Sequence, residues 1–156
     1  MLGIRFFKAQ PTTWVIHSRN GHTVREGAGL SFFYFGPTTS LAAVPLATTD
    51  LPFAFNEVAA DFQPLTLQGL LTYRVSDPRR LAALLDFGVD ARGAWRSEDP
   101  ERLRERLVHT TQVLARGEIQ KLTLARALVS ADAVVADVLP QLRASEAVAM
   151  LGIEIL

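Results

Sequence analysis

The side chains best equipped for chemistry in this chain are its three histidines, and their spacing decides what they could do. His17 and His22 flank Asn20-Gly21, a strong two-residue hairpin signal because both turn positions require positive φ. Such a turn pairs Arg19 with His22 and His17 with Val24. His17 and His22 then become diagonal neighbours on one sheet face, about 7–8 Å apart between α-carbons. Glu26 shares that face at its far end. Two imidazoles and a carboxylate are zinc ligands, but with the third so distant the reading adopted is two polar residues on a solvated strand face, with no metal. His109 falls in a helical stretch beside Thr110 and Thr111 and is read as structural.

The other reactive types are no better placed. No Gly-x-Ser-x-Gly elbow is present, and no serine stands in a triad context. Gly27-Ala-Gly29 lacks a third glycine and runs into a strand, not a helix, so it is no phosphate cradle. The carboxylates Glu98, Asp99, Glu101 and Glu105 cluster at a helix start, where the macrodipole favours them. No catalytic residue, no cofactor and no enzymatic activity are expected.

Composition narrows the field further. The 156 residues are 49% hydrophobic, with sixteen acidic residues balancing sixteen basic ones and no cysteine. Disulfides, thiolate metal sites and a cysteine nucleophile are thereby excluded. A zero formal charge argues against a nucleic-acid partner, which calls for a clustered cationic face. No run reaches the ~18 apolar residues of a spanning helix, and the opening residues do not form a signal peptide. A soluble or peripheral protein is expected, cytoplasmic or at the cytoplasmic face of a membrane.

The elements that must position these residues fall into a strand-rich front and a helix-rich back. Short β-favouring runs cover 13–19, 22–26, 30–35, 41–46, 51–58 and 62–75. In the last of these Leu65, Leu67, Gly69, Leu71, Tyr73 and Val75 alternate with polar residues, which predicts an antiparallel sheet with one buried face. Pro45 predicts a strand that lies at an edge or ends there. After Ser76 the period changes. Asp77-Pro78 opens a helix expected to stop at Gly88, and Asp99-Pro100 opens one expected to stop at Gly117. A third helix is predicted over 118–128. A fourth, over 131–150, should break near Asp137 because of Pro140. The final Gly152-Ile-Glu-Ile-Leu156 reads as a short strand.

Exposed aromatic residues ask for a partner. Within Phe32-Phe33-Tyr34-Phe35, alternation buries Phe33 and Phe35 and exposes Phe32 and Tyr34, or the reverse. Leu2, Ile4, Phe6, Phe7 and Trp14, flanked by Arg5 and Lys8, suit a shallow interfacial contact. The candidate surface for membrane or a neighbouring subunit is therefore Ile4, Phe6, Phe7, Trp14, Phe32 and Tyr34. Arg102, Arg104 and Arg106, with Glu101 and Glu105, read as a solvated helix face.

Several stretches, taken in order, resemble the band 7 (SPFH) domain of the stomatin, prohibitin and flotillin superfamily. They are Arg25-Glu-Gly-Ala-Gly-Leu-Ser-Phe-Phe-Tyr-Phe35, Val44-Pro-Leu46 and Asp50-Leu-Pro-Phe53, then Asp61-Phe-Gln63 and Gln68-Gly-Leu-Leu-Thr-Tyr-Arg-Val-Ser-Asp-Pro78, and last Leu151-Gly-Ile-Glu-Ile155. The resemblance spans roughly residues 10–156. It implies an α+β fold, a curved and mostly antiparallel sheet with three to four helices on one side and a short C-terminal strand. It also implies one domain over 1–156, ending before a coiled-coil region. The function it implies is a non-catalytic, membrane-associated bacterial scaffold that self-assembles into homo-oligomers, touches lipid peripherally and regulates membrane proteins or proteases. A soluble adaptor that binds a partner without lipid is the alternative.

Overall fold

The structure, a computed structural model, describes residues 3–156; the contact expected of Leu2 lies outside them. The described residues form an α+β fold with nine strands and five α-helices. The strands are β1 (Ile4–Lys8), β2 (Thr13–Arg19), β3 (His22–Ala28), β4 (Ser31–Phe35), β5 (Thr39–Pro45), β6 (Thr49–Val58), β7 (Pro64–Val75), β8 (Gly88–Val89) and β9 (Ile153–Ile155). The helices are α1 (Pro78–Leu84), α2 (Asp99–Ile119), α3 (Leu124–Val129), α4 (Ala131–Ala144) and α5 (Glu146–Ala149). Three sheets share the strands, in the orders β1-β4, β3-β2-β5-β8 and β6-β7-β9.

The chain packs as two compact units, each drawn from both halves of the sequence. Unit 1 takes residues up to Ala47 and Val75–Arg102. In it β1 pairs antiparallel with β4, from Ile4 opposite Phe35 to Lys8 opposite Ser31. The core of this unit joins Phe7, Phe32 and Tyr34 to Val15, Leu41 and Val89. The Asn20-Gly21 turn forms as expected, with φ of 52° and 82° and Arg19 opposite His22. Pro45 ends β5, which has neighbours on both sides.

Unit 2 takes Thr48–Arg74 and Leu103–Leu156. β6 and β7 pair in register from Thr49 opposite Tyr73 to Val58 opposite Pro64. The alternation read along β7 holds at its C-terminal end, where Leu71, Tyr73 and Val75 are buried. Leu107, Thr111, Ala115 and Ile119 of α2 are buried at four-residue spacing, and Val134, Val138 and Leu142 of α4 repeat it. Phe55, Ala115, Val134 and Val138 form one cluster.

Helix starts follow the sequence closely. The Asp77 side chain accepts a hydrogen bond from the Arg80 N–H at 3.2 Å, satisfying one of the orphan donors of α1. Helix ends do not. α1 stops at Leu84, before Gly88, which instead enters β8. Gly88 is needed there because Asp86 Oδ1 accepts its N–H at 2.8 Å, and a Cβ would lie at that same distance from the oxygen. α2 runs through Gly117 to bury Ile119. α4 continues through Asp137 and Pro140, and the break falls at Ser145. Val138 and Leu142, both buried, hold the turns on either side of Pro140, which offsets its missing N–H.

Candidate functional site

The β1–β4 ribbon of unit 1 has two faces of different character. Successive residues of a strand point to opposite sides. Ile4 and Phe6 therefore share a face with their partners Phe35 and Phe33, while Phe7, Phe32 and Tyr34 share the other. The second face joins the core. The first is open: Ile4 is 47% exposed, Phe6 53%, Phe33 71% and Phe35 43%. The Phe6 and Phe33 rings meet at 4.9 Å between centroids, so their apolar surfaces form one patch. Lys8 lies exposed on the same face, two residues beyond Phe6.

This phase decides which residues of the expected contact surface are open. Ile4 and Phe6 are exposed. Phe7, Phe32 and Tyr34 are buried, because they cover Val15, Leu41 and Val89. Trp14 lies in β2 of the four-stranded sheet, half-buried, opposite Ala28 and Val44. Phe33 and Phe35 take the places of Phe32 and Tyr34. Alternation allowed either phase; what selects one is the buried partner of Phe32, which lies on another sheet.

That partner is His17, whose ring stacks on Phe32 at 4.6 Å with an interplanar angle of 9°. The Arg25 guanidinium covers the same ring, 4.9 Å from its centroid, a cation–π contact. His17 is 5% exposed, and neither ring nitrogen has a hydrogen-bond partner among the described residues. Burial lowers its pKa, and the Arg25 and Arg19 charges lower it further. His17 is therefore held neutral at the physiological end of its range.

The expected histidine pair does not assemble as read. A bulge between His17 and Ser18 sets His17 opposite Arg25, not Val24. Glu26 is carried opposite Ile16, to the other face of the sheet, where it forms an ion pair with Arg79. His22 is exposed while His17 is buried. His109 is exposed on α2. Among the described residues no group of three or more His, Asp or Glu side chains could hold a metal ion. No helix among them is long and apolar enough to cross a membrane.

In unit 2 the most deeply placed charge is Glu57, 6% exposed on β6. Its carboxylate accepts from Arg116 Nε at 2.9 Å and from Gln112 Nε2 at 3.2 Å. Both donors lie on α2, so the trio ties that helix to the strand. It is a structural clamp: the carboxylate is satisfied on both oxygens.

The features that organise both units are buried apolar faces and satisfied ion pairs, and the most conspicuous surface is an apolar ribbon. The chain belongs to the SPFH domain / Band 7 family, whose sequence pattern matches residues 7–156. Members of this family are generally non-enzymatic and commonly membrane-associated scaffolds. No curated protein matches the chain.

Proposed function

We propose that this chain is a non-catalytic scaffold domain that rests on a membrane through the outer face of its β1–β4 ribbon. The observation that carries this reading is the patch of Ile4, Phe6, Phe33 and Phe35, exposed on one side of a two-stranded ribbon whose other side is core. A soluble surface rarely leaves so many large apolar side chains together unless something covers them. An amphipathic element with a basic rim suits the boundary between headgroups and acyl chains. Lys8 supplies such a charge on the ribbon's own face. Self-association is the second part of the reading, supported by β3 and β6, each hydrogen-bonded to a strand on one side only. Unpaired strand edges are templates for a second copy. On this reading the clients are membrane proteins or proteases at the cytoplasmic face.

Co-sedimentation of the full chain with phosphatidylcholine vesicles tests the contact. Phe33 is 71% exposed. With a phenylalanine offering roughly 200 Å² at about 25 cal/mol per Å², half-immersion is worth about 1.5–2 kcal/mol. Phe33→Ser should weaken binding by about tenfold or more, and Phe6→Ser somewhat less. If the chain binds vesicles of no composition, the soluble adaptor takes its place.

A further inference from the structure

The outer face of the ribbon explains contact with an apolar layer, but its inner face does not end in the core. Arg5 stands between Ile4 and Phe6 on β1, opposite Tyr34, and so projects to the other side of the strand from both. There it lines a cavity of about 410 Å³ in unit 1, together with Tyr34, Leu41, Val89, Asp90 and Arg96.

Arg5 packs against the local backbone, and the backbone segment that carries Arg96 is fixed by hydrogen bonds. The Arg5 stem lies directly on Gly36, where a Cβ would come within 3.3 Å of Arg5 Nε. The Arg96 N–H donates to the Gly88 carbonyl at 2.9 Å. Its neighbour Trp95 bridges to Val89, and the Trp95 indole N–H donates to the Ala43 carbonyl at 3.0 Å. Among the described residues neither guanidinium has a carboxylate within salt-bridge distance. Asp90 is the acid of the lining, and its Oδ1 is turned into its own loop, accepting from the N–H of Arg92 at 2.8 Å and of Ala94 at 3.1 Å. Two guanidiniums against one carboxylate leave the lining with a net charge of +1.

A guanidinium presents a planar fork of N–H donors that matches a phosphate oxygen pair. Two of them lining one cavity with a single carboxylate for both, its Oδ1 already committed to its own loop, define a place for such an anion. We propose that this cavity is a phosphate-binding site in which Arg5 and Arg96 grip a phosphate ester, either a lipid headgroup or a phosphate free in solution. The lipid source rests on the membrane contact proposed above. Arg5 projects away from the face that carries Ile4 and Phe6, so a phosphate held by it would lie on the headgroup side of the ribbon while those two enter the layer beneath.

The test uses the full chain with phosphatidylcholine vesicles, with vesicles of phosphatidylcholine mixed with phosphatidylglycerol, and with inorganic phosphate followed through the arginine Nε–H resonances. Arg126→Gln on α3 removes the same charge from an exposed position outside the cavity and serves as control. If lipid phosphate is held, Arg5→Gln and Arg96→Gln should each weaken binding to the mixed vesicles about fivefold, and about twenty-five-fold together. Arg126→Gln should change nothing, and binding to phosphatidylcholine alone, whose phosphate is neutralised by its own choline, should survive in all three. If the ligand is free phosphate, it should shift the Arg5 and Arg96 resonances of the unmodified chain while the variants keep their vesicle affinity. The proposal is overturned if Arg126→Gln weakens mixed-vesicle binding as much as Arg5→Gln, or if phosphate leaves both resonances unmoved and vesicle binding is insensitive to both arginines. Failure of the membrane reading looks different: no phosphatidylcholine binding and no effect of Phe33→Ser, with the arginine Nε–H shifts caused by phosphate still readable.

Discussion

An imidazole in the core of unit 1 keeps two nitrogens from water without giving either a hydrogen-bond partner among the described residues. His17→Phe removes both and extends the stack on Phe32. Leaving a buried polar group unsatisfied costs about 1–3 kcal/mol. Part of the gain is offset because a phenyl ring is larger than imidazole, and a crowded core resists added volume. A net stabilisation of about 1–2 kcal/mol is expected, which for a chain of this size raises Tm by about 2–8 °C. The pH dependence carries a second signature. The folded-state pKa of His17 is lowered from its ordinary 6.5 by burial, then by Arg25 and Arg19. The unfolded chain thus binds a proton more readily than the folded one. The stability that neutral His17 permits is complete above pH 6.5 and declines as the pH falls below that value. The Phe variant should lack that decline. Urea titrations at pH 7.5 and 5.5 on both proteins measure the two effects. If the variant is no more stable at pH 7.5 and the difference does not widen at pH 5.5, the imidazole is not buried as described.

Two further substitutions probe unit 2. Gly69→Ala sets a Cβ 2.8 Å from Phe53 Cζ, a ring already stacked on Phe55 at 4.5 Å; a loss of about 1–3 kcal/mol is expected, and thermal unfolding should show most of it recovered in a Phe53→Leu background. Arg116→Ala should cost more than Glu57→Ala. The first strands a carboxylate that is 6% exposed, worth about 3–5 kcal/mol, whereas the second leaves an arginine that is 47% exposed and can rehydrate, worth about 1–2 kcal/mol; chemical denaturation of both variants ranks them.

Local chemistry was legible wherever one residue type or one period settles the matter. Asn20-Gly21 has few alternatives to a hairpin turn, and Asp77-Pro78 few to a helix start. The alternation along β7 could be read because only its face needed naming. Helix ends depart from the sequence expectation where a glycine or proline is outweighed by the residues around it. Gly117 and Pro140 each disfavour helix by about 1–3 kcal/mol, yet Ile119 and Leu142 beyond them are buried, and burying such side chains is worth about as much. The histidine register failed for another reason. A bulge adds one residue to one strand, and no residue between His17 and Val24 announces it.

The amino-acid order alone determined the α+β class, the strand-then-helix succession and the family pattern, since each depends on residues adjacent in the chain. Only tertiary packing decided which face of the ribbon is open. Phe32 and Phe33 are chemically the same side chain, and what separates them is that His17, Val15 and Leu41, remote in the chain, cover one and not the other. Arg5 and Arg96 likewise meet at one cavity only because β1 and the loop after β8 fold into the same unit, a proximity that no local period encodes.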